Sequence, residues 1–252
     1  MLLIIGKNVS IDPFVVIHKN VIIGEGTWIG SNVTIMSGAR IGRNCKIFSG
    51  AVIGGEPQDL KFAGEETTAE IGDNTIIREH VTINRGTKEK WKTVIGSGCL
   101  IMAYSHIAHD CQIGSNCVFF NCTTLAGHVI IGNNVILGHT VAIHQFVMVG
   151  NYALISDGAL VRKDVPPYVR AAREPLSYLG INSEGMHQGK LSKASIIEIK
   201  QIYYVLFILH NNITKALDII ETTFKATEFR DEILDFIRKS NRGIIRGLGM
   251  QS

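Results

Sequence analysis

The chain has 252 residues, of which 46% are hydrophobic and 19% are charged, with 26 Gly, 5 Pro and a formal net charge of +3. This composition excludes an intrinsically disordered chain, which needs low hydrophobicity and high net charge. It also excludes a collagen-like fibre, since the glycines have no three-residue period, and the small net charge argues against a nucleic-acid-binding protein.

The cysteines and the N-terminal segment indicate the compartment. The five cysteines are an odd number and form no Cys-x-x-Cys pair, so neither a disulfide framework nor a thiolate zinc site is predicted. The first residues lack the basic start and cleavage site of a secretory leader, and no apolar run is long enough to cross a bilayer. We therefore expect reduced thiols in a cytoplasmic protein without a membrane span.

A six-residue repeat dominates the first two thirds of the chain. From residue 5 to residue 161, every sixth residue is apolar at 24 of 27 positions, mostly as Ile, and Gly often follows it. Neither an α-helix nor a single strand has this period, whereas a coil of three short strands, each with one inward aliphatic side chain, does. Eighteen residues then complete one triangular coil, and successive coils stack at about 4.8 Å.

The three exceptions to the repeat are Asp59, Glu65 and Glu89. In a solenoid, such a break usually marks a loop that leaves one face, often the binding face. We therefore predict two functional loops, at residues 55–70 and 84–93. The repeat ends near residues 165–168, where two neighbouring prolines stop regular strand pairing.

A different pattern follows the repeat, and it predicts a linker and an α-helical domain over residues 169–252. Ser192 is a candidate N-cap for a helix that runs to about Asn211. Its apolar residues, together with His210, fall along one helix face.

Two further helices are predicted in this tail. Thr214 is a candidate N-cap for a helix that ends at Phe224, and residues 228–239 have the pattern of another. A helical tail in this position can cover the last coil of the stack, which would otherwise expose strand edges.

The repeat also brings polar side chains to one edge of the coils, because residues 18 apart occupy equivalent places on adjacent coils. His109 lies below Gly127, and Asp110 lies below His128. A neutral His is the natural general base near pH 7, and a carboxylate can hold its tautomer. A direct contact between His109 and Asp110 needs a corner, since neighbours in a straight strand point to opposite faces. The polar residues of this edge are His106, His109, Asp110, His128, His144 and Gln145.

Two other interpretations of these histidines stay open at this point. Three imidazoles can hold a catalytic Zn²⁺ with water in the fourth position, and His106 and His109 are three residues apart. A purely structural or ligand-binding solenoid with surface histidines also satisfies the repeat. Loss of catalytic activity in a folded His109→Ala variant would exclude the structural interpretation.

An ordered set of loop motifs resembles one known family. In their order along the chain, the motifs are similar to those of the UDP-N-acetylglucosamine acyltransferases, the first enzymes of lipid A biosynthesis. The resemblance runs from about residue 5 to the C-terminal helices. The motifs are GEPQDLKFAGE at 55–65, NRGT at 84–87, HIAHDC at 106–111, LAGHV at 125–129, HQF at 144–146, DVPPY at 164–168 and GINSEG at 180–185.

The resemblance implies a mainly β fold, with a left-handed parallel β-helix of hexapeptide repeats at residues 1–168 and a C-terminal α-helical domain after it. It implies a homotrimer with active sites between neighbouring subunits. The implied reaction transfers a 3-hydroxyacyl group from acyl carrier protein to the 3-hydroxyl of UDP-N-acetylglucosamine. No cofactor, metal or covalent acyl-enzyme is expected in that family.

The resemblance also implies roles for single residues. His109 would be the general base, with Asp110 as its support, and the Gly127 N–H would bind the oxyanion of the thioester carbonyl. Two positions depart from the family: Gln188 stands where Arg is common, and Asp157 stands where the acyl chain length is measured. The implied substrate-binding residues are Asp59, Lys61, His106, His128, His144, Gln145, Asn182 and Glu184.

Acyl carrier protein is acidic, so its docking site should be basic. Two clusters fit this requirement, one directly after the repeat and one at the C-terminus, and the sequence does not choose between them. They are Arg162, Lys163, Arg170 and Arg173, and Arg238, Lys239, Arg242 and Arg246.

Two related enzyme classes are the alternatives. The N-acyltransferase of the same pathway carries an additional N-terminal domain, and we expect none here because the repeat begins at Ile5. A small-molecule acetyltransferase that uses coenzyme A is disfavoured by the loop motifs. The sequence does not decide between a hydroxyl and a 3-amino acceptor.

Overall fold

The computed structural model describes residues 3–209 and 212–247, which form 27 short strands and four α-helices. The strands are β1 Leu3–Ile5, β2 Ser10–Ile11, β3 Val16–Ile17, β4 Val21–Ile23, β5 Trp28–Ile29, β6 Thr34–Ile35, β7 Ala39–Ile41, β8 Lys46–Ile47, β9 Val52–Gly55, β10 Thr68–Ile71, β11 Ile76–Ile77, β12 Thr82–Asn84, β13 Lys92–Ile95, β14 Leu100–Ile101, β15 His106–Ile107, β16 Gln112–Ile113, β17 Val118–Phe119, β18 Thr124–Leu125, β19 Ile130–Ile131, β20 Ile136–Leu137, β21 Ala142–Ile143, β22 Met148–Val149, β23 Leu154–Ile155, β24 Leu160–Val161, β25 Val169–Ala172, β26 Ser177–Ile181 and β27 Arg246–Gly247. The helices are α1 Ser183–Gln188, α2 Lys193–Tyr204, α3 Ile213–Thr223 and α4 Glu228–Lys239, with a π-helical turn at Val205–Leu209.

Three sheets form the sides of a triangular coil, and every third strand belongs to the same sheet. The first sheet runs from β1 to β22, the second from β2 to β23, and the third from β3 to β24. Neighbouring strands within these runs are parallel and in register, so that Ile41, Ile71 and Ile95 stand in one column. The strand pairing predicted from the six-residue repeat is confirmed.

The repeat residues fill the interior of the coil. Ile29, Ile77 and Ile107 are fully buried, and burial of one such side chain stabilises the fold by about 1.5–3 kcal/mol. At the corners, residues with positive φ turn the chain, many of them Asn such as Asn44 and Asn116. Asn tolerates this left-handed conformation better than most residues. The inward aliphatic row and the corner residues together set the prism shape.

The two predicted loops leave the coil at the corner where the third sheet passes to the first. Val52 pairs with Thr82, and Thr82 pairs with His106, so these turns of the coil span 30 and 24 residues instead of 18. Both spans are multiples of six. The loops therefore return the chain in phase, which explains why the repeat does not slip across them.

The second sheet continues past the two prolines. Strand β25 pairs in parallel with β23, β26 pairs antiparallel with β25, and β27 adds a further strand. The backbone beyond Tyr168 is therefore joined to the stack by sheet hydrogen bonds. The division into two domains at residue 168 stays a prediction.

The helical tail agrees with the sequence at two of its three predicted helices. Ser192 caps α2 through the Ser195 N–H, and α4 spans the predicted residues 228–239. The predicted cap of α3 is wrong: Asn212, two residues before Thr214, accepts from the Lys215 N–H. Asn is as good an N-cap as Thr or better, so the earlier residue starts the helix.

The tail contains one predicted helix end that is not described and one short helix that was not predicted. His210 and Asn211, where the first predicted helix ends, lie outside the described residues. The short helix α1, which the sequence does not predict, is capped by the Asn182 side chain. None of the described helices is long and apolar enough to cross a membrane.

The two ends of the stack differ. Leu3, Ile5 and Val16 of the first coil are about half exposed. At the other end, the C-terminal helices cover the last coil: Tyr203 donates from its hydroxyl to the Pro167 carbonyl, and the Asn151 side chain donates to Glu232. Among the residues 3–209 and 212–247, the stack is thus uncovered at its first coil and covered at its last coil.

Candidate active site

A corner of the coil brings His109 and Asp110 into direct contact. The pair lies between β15 of the third sheet and β16 of the first, and Asp110 has a φ of 61°. The bend turns both side chains to one side, so that His109 Nδ1 lies 2.8 Å from Asp110 Oδ2. Both side chains are buried. The corner that this contact requires is therefore present.

Thr87, in the second loop, holds the Asp110 carboxylate. Its N–H donates to Oδ1 at 2.9 Å and its hydroxyl donates to Oδ2 at 2.7 Å. Burial alone raises the pKa of Asp110, but the hydrogen bonds from Thr87 and His109 outweigh this and hold the pKa below its ordinary value. Asp110 is thus ionised at neutral pH and fixes the imidazole of His109. Sequence reasoning missed Thr87, although its loop is marked by the break in the repeat at Glu89.

Gly127 lies one coil above His109, and its backbone approaches the imidazole closely. A Cβ built on Gly127 would stand 2.6 Å from Cε1 and 2.7 Å from Nε2 of His109, so no larger residue fits without moving the ring. The next residue, His128, donates its N–H to the His109 carbonyl at 3.0 Å. Within the described part of the chain, the Gly127 N–H has no backbone acceptor. This N–H is therefore a candidate donor to an oxyanion.

His128 forms the side wall of this corner. Its ring is edge-on to the His109 ring at 5.2 Å and stacks on Phe146 at 4.6 Å. Its Nε2 atom lies 3.5 Å from Asp110 Oδ2 and 3.4 Å from Glu89 Oε2. The side chain of His128 is buried, whereas that of Glu89 is half exposed. The imidazole of His128 therefore stands between two carboxylates.

Three further predicted residues line the same corner. His106, on β15, is linked by its Nδ1 to the Thr82 hydroxyl at 2.7 Å, and burial, aided by the nearby His109, lowers its pKa. His144 is exposed and Gln145 is half-buried one coil above Gly127. These side chains lie along the corner that contains the His109–Asp110 pair.

The first loop also starts at this corner, between β9 and β10, and carries Asp59 and Lys61. The Asp59 carboxylate accepts from the Lys61 N–H at 3.0 Å, and its carbonyl accepts from the Phe62 N–H. Lys61 is exposed. The structure thus places both residues on a projecting turn and gives them no recorded contact with His109.

Asn182 and Glu184 lie at a different corner of the prism. Asn182 donates from Nδ2 to the carbonyl of Tyr152, which follows β22 of the first sheet, and caps α1 through the Gly185 N–H. Glu184 is exposed on α1. One chain therefore does not bring these two residues to the corner of His109. Gln188 ends α1 and is also exposed.

The third corner, between the second and third sheets, holds Asp157. Its carboxylate accepts from the His139 N–H of the coil below at 2.8 Å. The side chain therefore folds back along the corner and bonds to the backbone, in the way that Asn151 bonds to the Asn133 N–H at another corner.

The two basic clusters meet above the His109 corner. Arg162 and Lys163 stand on the same corner three coils above His109, directly after β24. Arg242 Nε donates to the Arg162 carbonyl at 3.2 Å. The guanidinium of Arg162 pairs with Glu174 at 2.9 Å. One member of each cluster, Arg162 and Arg242, is therefore in contact above the His109 corner.

Two protein-family models match parts of the chain. The model of domain 2 of the UDP-N-acetylglucosamine O-acyltransferases matches residues 164–245. The model of the bacterial transferase hexapeptide, which has six repeats, matches residues 20–55 and 92–127.

Curated relatives of this acyltransferase family match about three quarters of the chain. The acyl-[acyl-carrier-protein]–UDP-N-acetylglucosamine O-acyltransferase of Xylella fastidiosa is 42% identical over 195 residues, which are 77% of this chain and 74% of the relative. That of Aliivibrio fischeri is 41% identical over 194 residues, with the same two shares.

Among solved structures, the UDP-N-acetylglucosamine acyltransferase of Bacteroides fragilis is 48% identical. It superposes with a TM-score of 0.94, covering 96% of this chain and 95% of that one. The related structure from Acinetobacter baumannii has a TM-score of 0.91 at 39% identity, covering 96% and 95%. The predicted left-handed parallel β-helix of hexapeptide repeats, followed by C-terminal helices, is confirmed.

Proposed function

Since the chain belongs to the family of UDP-N-acetylglucosamine O-acyltransferases, we propose that it transfers a 3-hydroxyacyl group from acyl carrier protein to the 3-hydroxyl of UDP-N-acetylglucosamine, the first step of lipid A biosynthesis. The observation that carries the proposal is the corner where the His109–Asp110 pair lies directly against the Gly127 backbone. A general base and an oxyanion donor are the two groups that direct acyl transfer to a hydroxyl needs.

His109 is the general base. Asp110 binds the Nδ1 side of the ring, which places the proton on Nδ1 and leaves Nε2 free to accept one. Nε2 takes the proton of the sugar 3-hydroxyl as its oxygen attacks the thioester carbonyl carbon. Positioned proton transfer of this kind typically contributes about 10²–10⁴-fold to the rate.

The Gly127 N–H stabilises the negative charge that develops on the carbonyl oxygen. As the C–O bond forms, the carbonyl oxygen becomes an oxyanion, and the Gly127 N–H, on the backbone that lies against the His109 ring, is the proposed donor. The tetrahedral intermediate then collapses to the ester, and the C–S bond to the carrier breaks. The imidazolium of His109 returns its proton to the leaving thiolate, which restores the neutral base.

A direct transfer fits the cysteines of the described chain better than a covalent acyl-enzyme. Cys111, next to Asp110 in the sequence, is fully buried and donates to the Ala126 carbonyl, and burial raises its pKa to about 12. Such a thiol is not a nucleophile at neutral pH. The exposed Cys122 follows β17 and lies at another corner of the prism.

The proposed substrate-binding residues form two groups, one at the His109 corner and one away from it. His106, His128, His144 and Gln145 line the groove and would contact the sugar and the acyl group. Asp59 and Lys61 offer a carboxylate to sugar hydroxyls and an ammonium to a nearby anion. Asn182 and Glu184 are proposed for the nucleotide end of UDP-N-acetylglucosamine.

The position of Asn182 supports a homotrimer. Asn182 and His109 lie at different corners of one prism, so both can reach one substrate only if neighbouring chains present different corners to each other. A closed ring of three prisms would supply the same interface three times. The proposed active sites therefore lie between subunits.

We place the docking site of the carrier protein at the basic residues above the His109 corner. Three coil steps of about 4.8 Å separate Lys163 from His109 along the same corner. An acidic carrier bound there would deliver its acyl group downward into the groove. The five free cysteines agree with a cytoplasmic location, which stays a prediction.

The test is direct. Purified protein is incubated with UDP-N-acetylglucosamine and a panel of 3-hydroxyacyl carrier proteins of different chain length, and the products are identified by mass. We expect an acylated sugar nucleotide and free carrier thiol in equal amounts. No product from any carrier would contradict the proposal, and an alkali-stable amide that forms only when the 3-amino analogue of the sugar nucleotide is supplied would show a 3-amino acceptor instead.

A further inference from the structure

Three potential metal ligands converge at the candidate active site, and a fourth lies beside one of them. One ligand atom from each of His109, Asp110 and His128 lies within 4.8 Å of the other two, and Glu89 Oε2 lies 3.4 Å from His128 Nε2. Two of the four residues offer imidazole nitrogens and two offer carboxylate oxygens. His109, Asp110 and His128 are buried, whereas Glu89 is half exposed.

Two of the separations fit a tetrahedral shell, and the half-exposed Glu89 side chain has to turn toward His109 and Asp110 to complete it. Zn²⁺ binds His nitrogen and carboxylate oxygen at about 2.0–2.2 Å, so two ligand atoms of a tetrahedral site lie about 3.3–3.6 Å apart. His128 Nε2 lies 3.5 Å from Asp110 Oδ2 and 3.4 Å from Glu89 Oε2. The distance of 2.8 Å between His109 Nδ1 and Asp110 Oδ2 is shorter, as a shared proton requires, and has to open by about 0.5 Å around a metal.

Hydrogen bonds to Thr87 already hold two of these ligands in place. Thr87 donates to both oxygens of Asp110, and the Thr87 hydroxyl also accepts from the Glu89 N–H at 3.2 Å. One residue of the second loop thus holds two of the four ligands. Outer contacts of this kind orient metal ligands and add to metal affinity.

We infer that Zn²⁺ binds between His109, Asp110, His128 and Glu89 and inhibits the enzyme. The metal takes the place of the proton on His109 Nδ1: the ring releases this proton to solvent and takes up another from solvent at Nε2, so that it stays neutral and carries its one proton on Nε2. The inhibition rests on the proposed function, since a ring protonated at Nε2 does not accept the proton of the sugar hydroxyl. The binding itself does not depend on that function.

The nitrogen and oxygen ligands of this site also predict that it prefers Zn²⁺ to Mg²⁺. Imidazole nitrogen suits Zn²⁺, whereas Mg²⁺ prefers six oxygen ligands in an octahedron and retains its waters. Millimolar Mg²⁺ should therefore neither bind here nor compete with Zn²⁺. This gives the experiment a metal of equal charge as its control.

Binding is measured by titrating chelator-treated protein with ZnCl₂ in a calorimeter. Cys122 is exposed and is replaced in all proteins by Cys122→Ser, so that its thiol does not bind the metal. We expect one Zn²⁺ per chain, and we expect Co²⁺ to give the visible absorption of a tetrahedral N/O site. Failure of the parent protein to bind Zn²⁺, or binding of Mg²⁺ with equal affinity, overturns the inference.

Glu89→Gln is the informative variant, because Glu89 has no part in the proposed acyl transfer. We expect its activity without metal to be unchanged and its affinity for Zn²⁺ to fall at least about 10-fold. Glu66→Gln, a carboxylate of the first loop that is exposed, is the matched control and should bind Zn²⁺ as the parent does. Equal affinities in the Glu89→Gln and Glu66→Gln proteins overturn the inference.

His128→Ala provides a second arm, which should lose the Co²⁺ absorption. Calorimetry and absorption need no turnover, so they remain valid if no acyl carrier is a substrate. A parent protein that binds Zn²⁺ in the calorimeter but transfers no acyl group would contradict the proposed function alone. A parent protein that transfers the acyl group but binds no Zn²⁺ would contradict the metal site alone.

Discussion

The backbone of Gly127 lies against the imidazole of His109, so closely that a Cβ on Gly127 would stand 2.6 Å from Cε1. The two residues are 18 apart in sequence and occupy adjacent coils. Their approach places the Gly127 backbone against the ring that accepts a proton in the proposed reaction. The spacing between the two groups is set by the coil stacking and not by a flexible loop.

Replacement of His109 by Ala should abolish nearly all acyl transfer while the protein folds normally. The side chain lies at a corner and its ring is outside the aliphatic interior, so its loss leaves the stack intact. We expect kcat to fall by about 10²–10⁴-fold, measured by release of carrier thiol. Unchanged circular dichroism and oligomer size are the controls, and turnover near that of the parent would refute the role of His109.

Gly127→Ala should lower kcat by about 10²-fold, because the added methyl group has to push the His109 ring out of position. The expected effect falls on kcat and less on KM for the sugar nucleotide. Gly64→Ala is the control, since a Cβ on Gly64 meets no atom within 4 Å, although its positive φ adds some strain. Equal kcat values in the two variants would show that the approach of Gly127 to His109 is unimportant.

Asp110→Asn should destabilise the fold by about 1–3 kcal/mol at pH 7, since it weakens buried hydrogen bonds to an ionised group. The folded pKa of Asp110 lies below its ordinary value of 3.8, so this contribution is present above about pH 3.8 and is lost as the pH falls through the folded pKa. The groups that face Asp110 are His109 and His128, with Glu89 beside His128.

Urea unfolding of the parent and of Asp110→Asn, at one fixed protein concentration, checks this between pH 7 and pH 3. The two unfolding free energies should converge toward the acid end. Asp73→Asn, which alters a half-buried corner residue whose carboxylate accepts from the Arg43 N–H, serves as the comparison and should lower the free energy of unfolding by less at pH 7. A difference for Asp110→Asn that stays constant over the whole range would contradict the assigned pKa direction.

The six-residue repeat predicts that Ile→Ala substitutions at different coils lower the free energy of unfolding by unequal amounts. Ile101→Ala removes a fully buried side chain and should cost about 2–5 kcal/mol. Ile11→Ala occupies the same kind of repeat position in the first coil, where the side chain is 41% exposed, and should cost less than half as much. Thermal unfolding of both variants measures the difference, and equal losses would mean that the first coil is covered in solution.

The cysteines should react with thiol reagents very unequally. Burial raises the pKa of Cys111 to about 12, so its thiolate is scarce from pH 7 to pH 9, and Cys45, Cys99 and Cys117 are also buried. We expect a maleimide to label one thiol per native chain, at Cys122, and all five in urea. Peptide mass mapping identifies the site, and rapid labelling of native Cys111 would contradict its burial.

Much of this fold follows from the sequence because one period determines it. Ile at every sixth position specifies the inward row, the strand register and the place of Gly127 above His109, and the structure confirms each. The break at Glu89 also marks the loop that carries Thr87. The cap of α3 was wrong by two residues because two good capping residues, Asn212 and Thr214, stand close together, and local sequence does not rank them.

The finer geometry of the site does not follow from the period. The contact between His109 and Asp110 depends on a positive φ at Asp110, and the approach of Glu89 to His128 depends on how the second loop folds back. The repeat also assigns Asn182 to no corner, since this residue lies beyond the last regular coil. These features need three-dimensional coordinates because they arise where the periodic backbone is interrupted.

The open first coil determines where the molecule loses structure first. Its apolar side chains are half exposed, and within the described residues its strands have neighbours on one side only. Its hydrogen bonds therefore need less free energy to open than those of any other coil. Because each coil contacts only the coils next to it, such an opening advances one coil at a time from the N-terminus. The His109 corner lies several coils further along, so the chain can fray at its start while its proposed chemistry stays assembled.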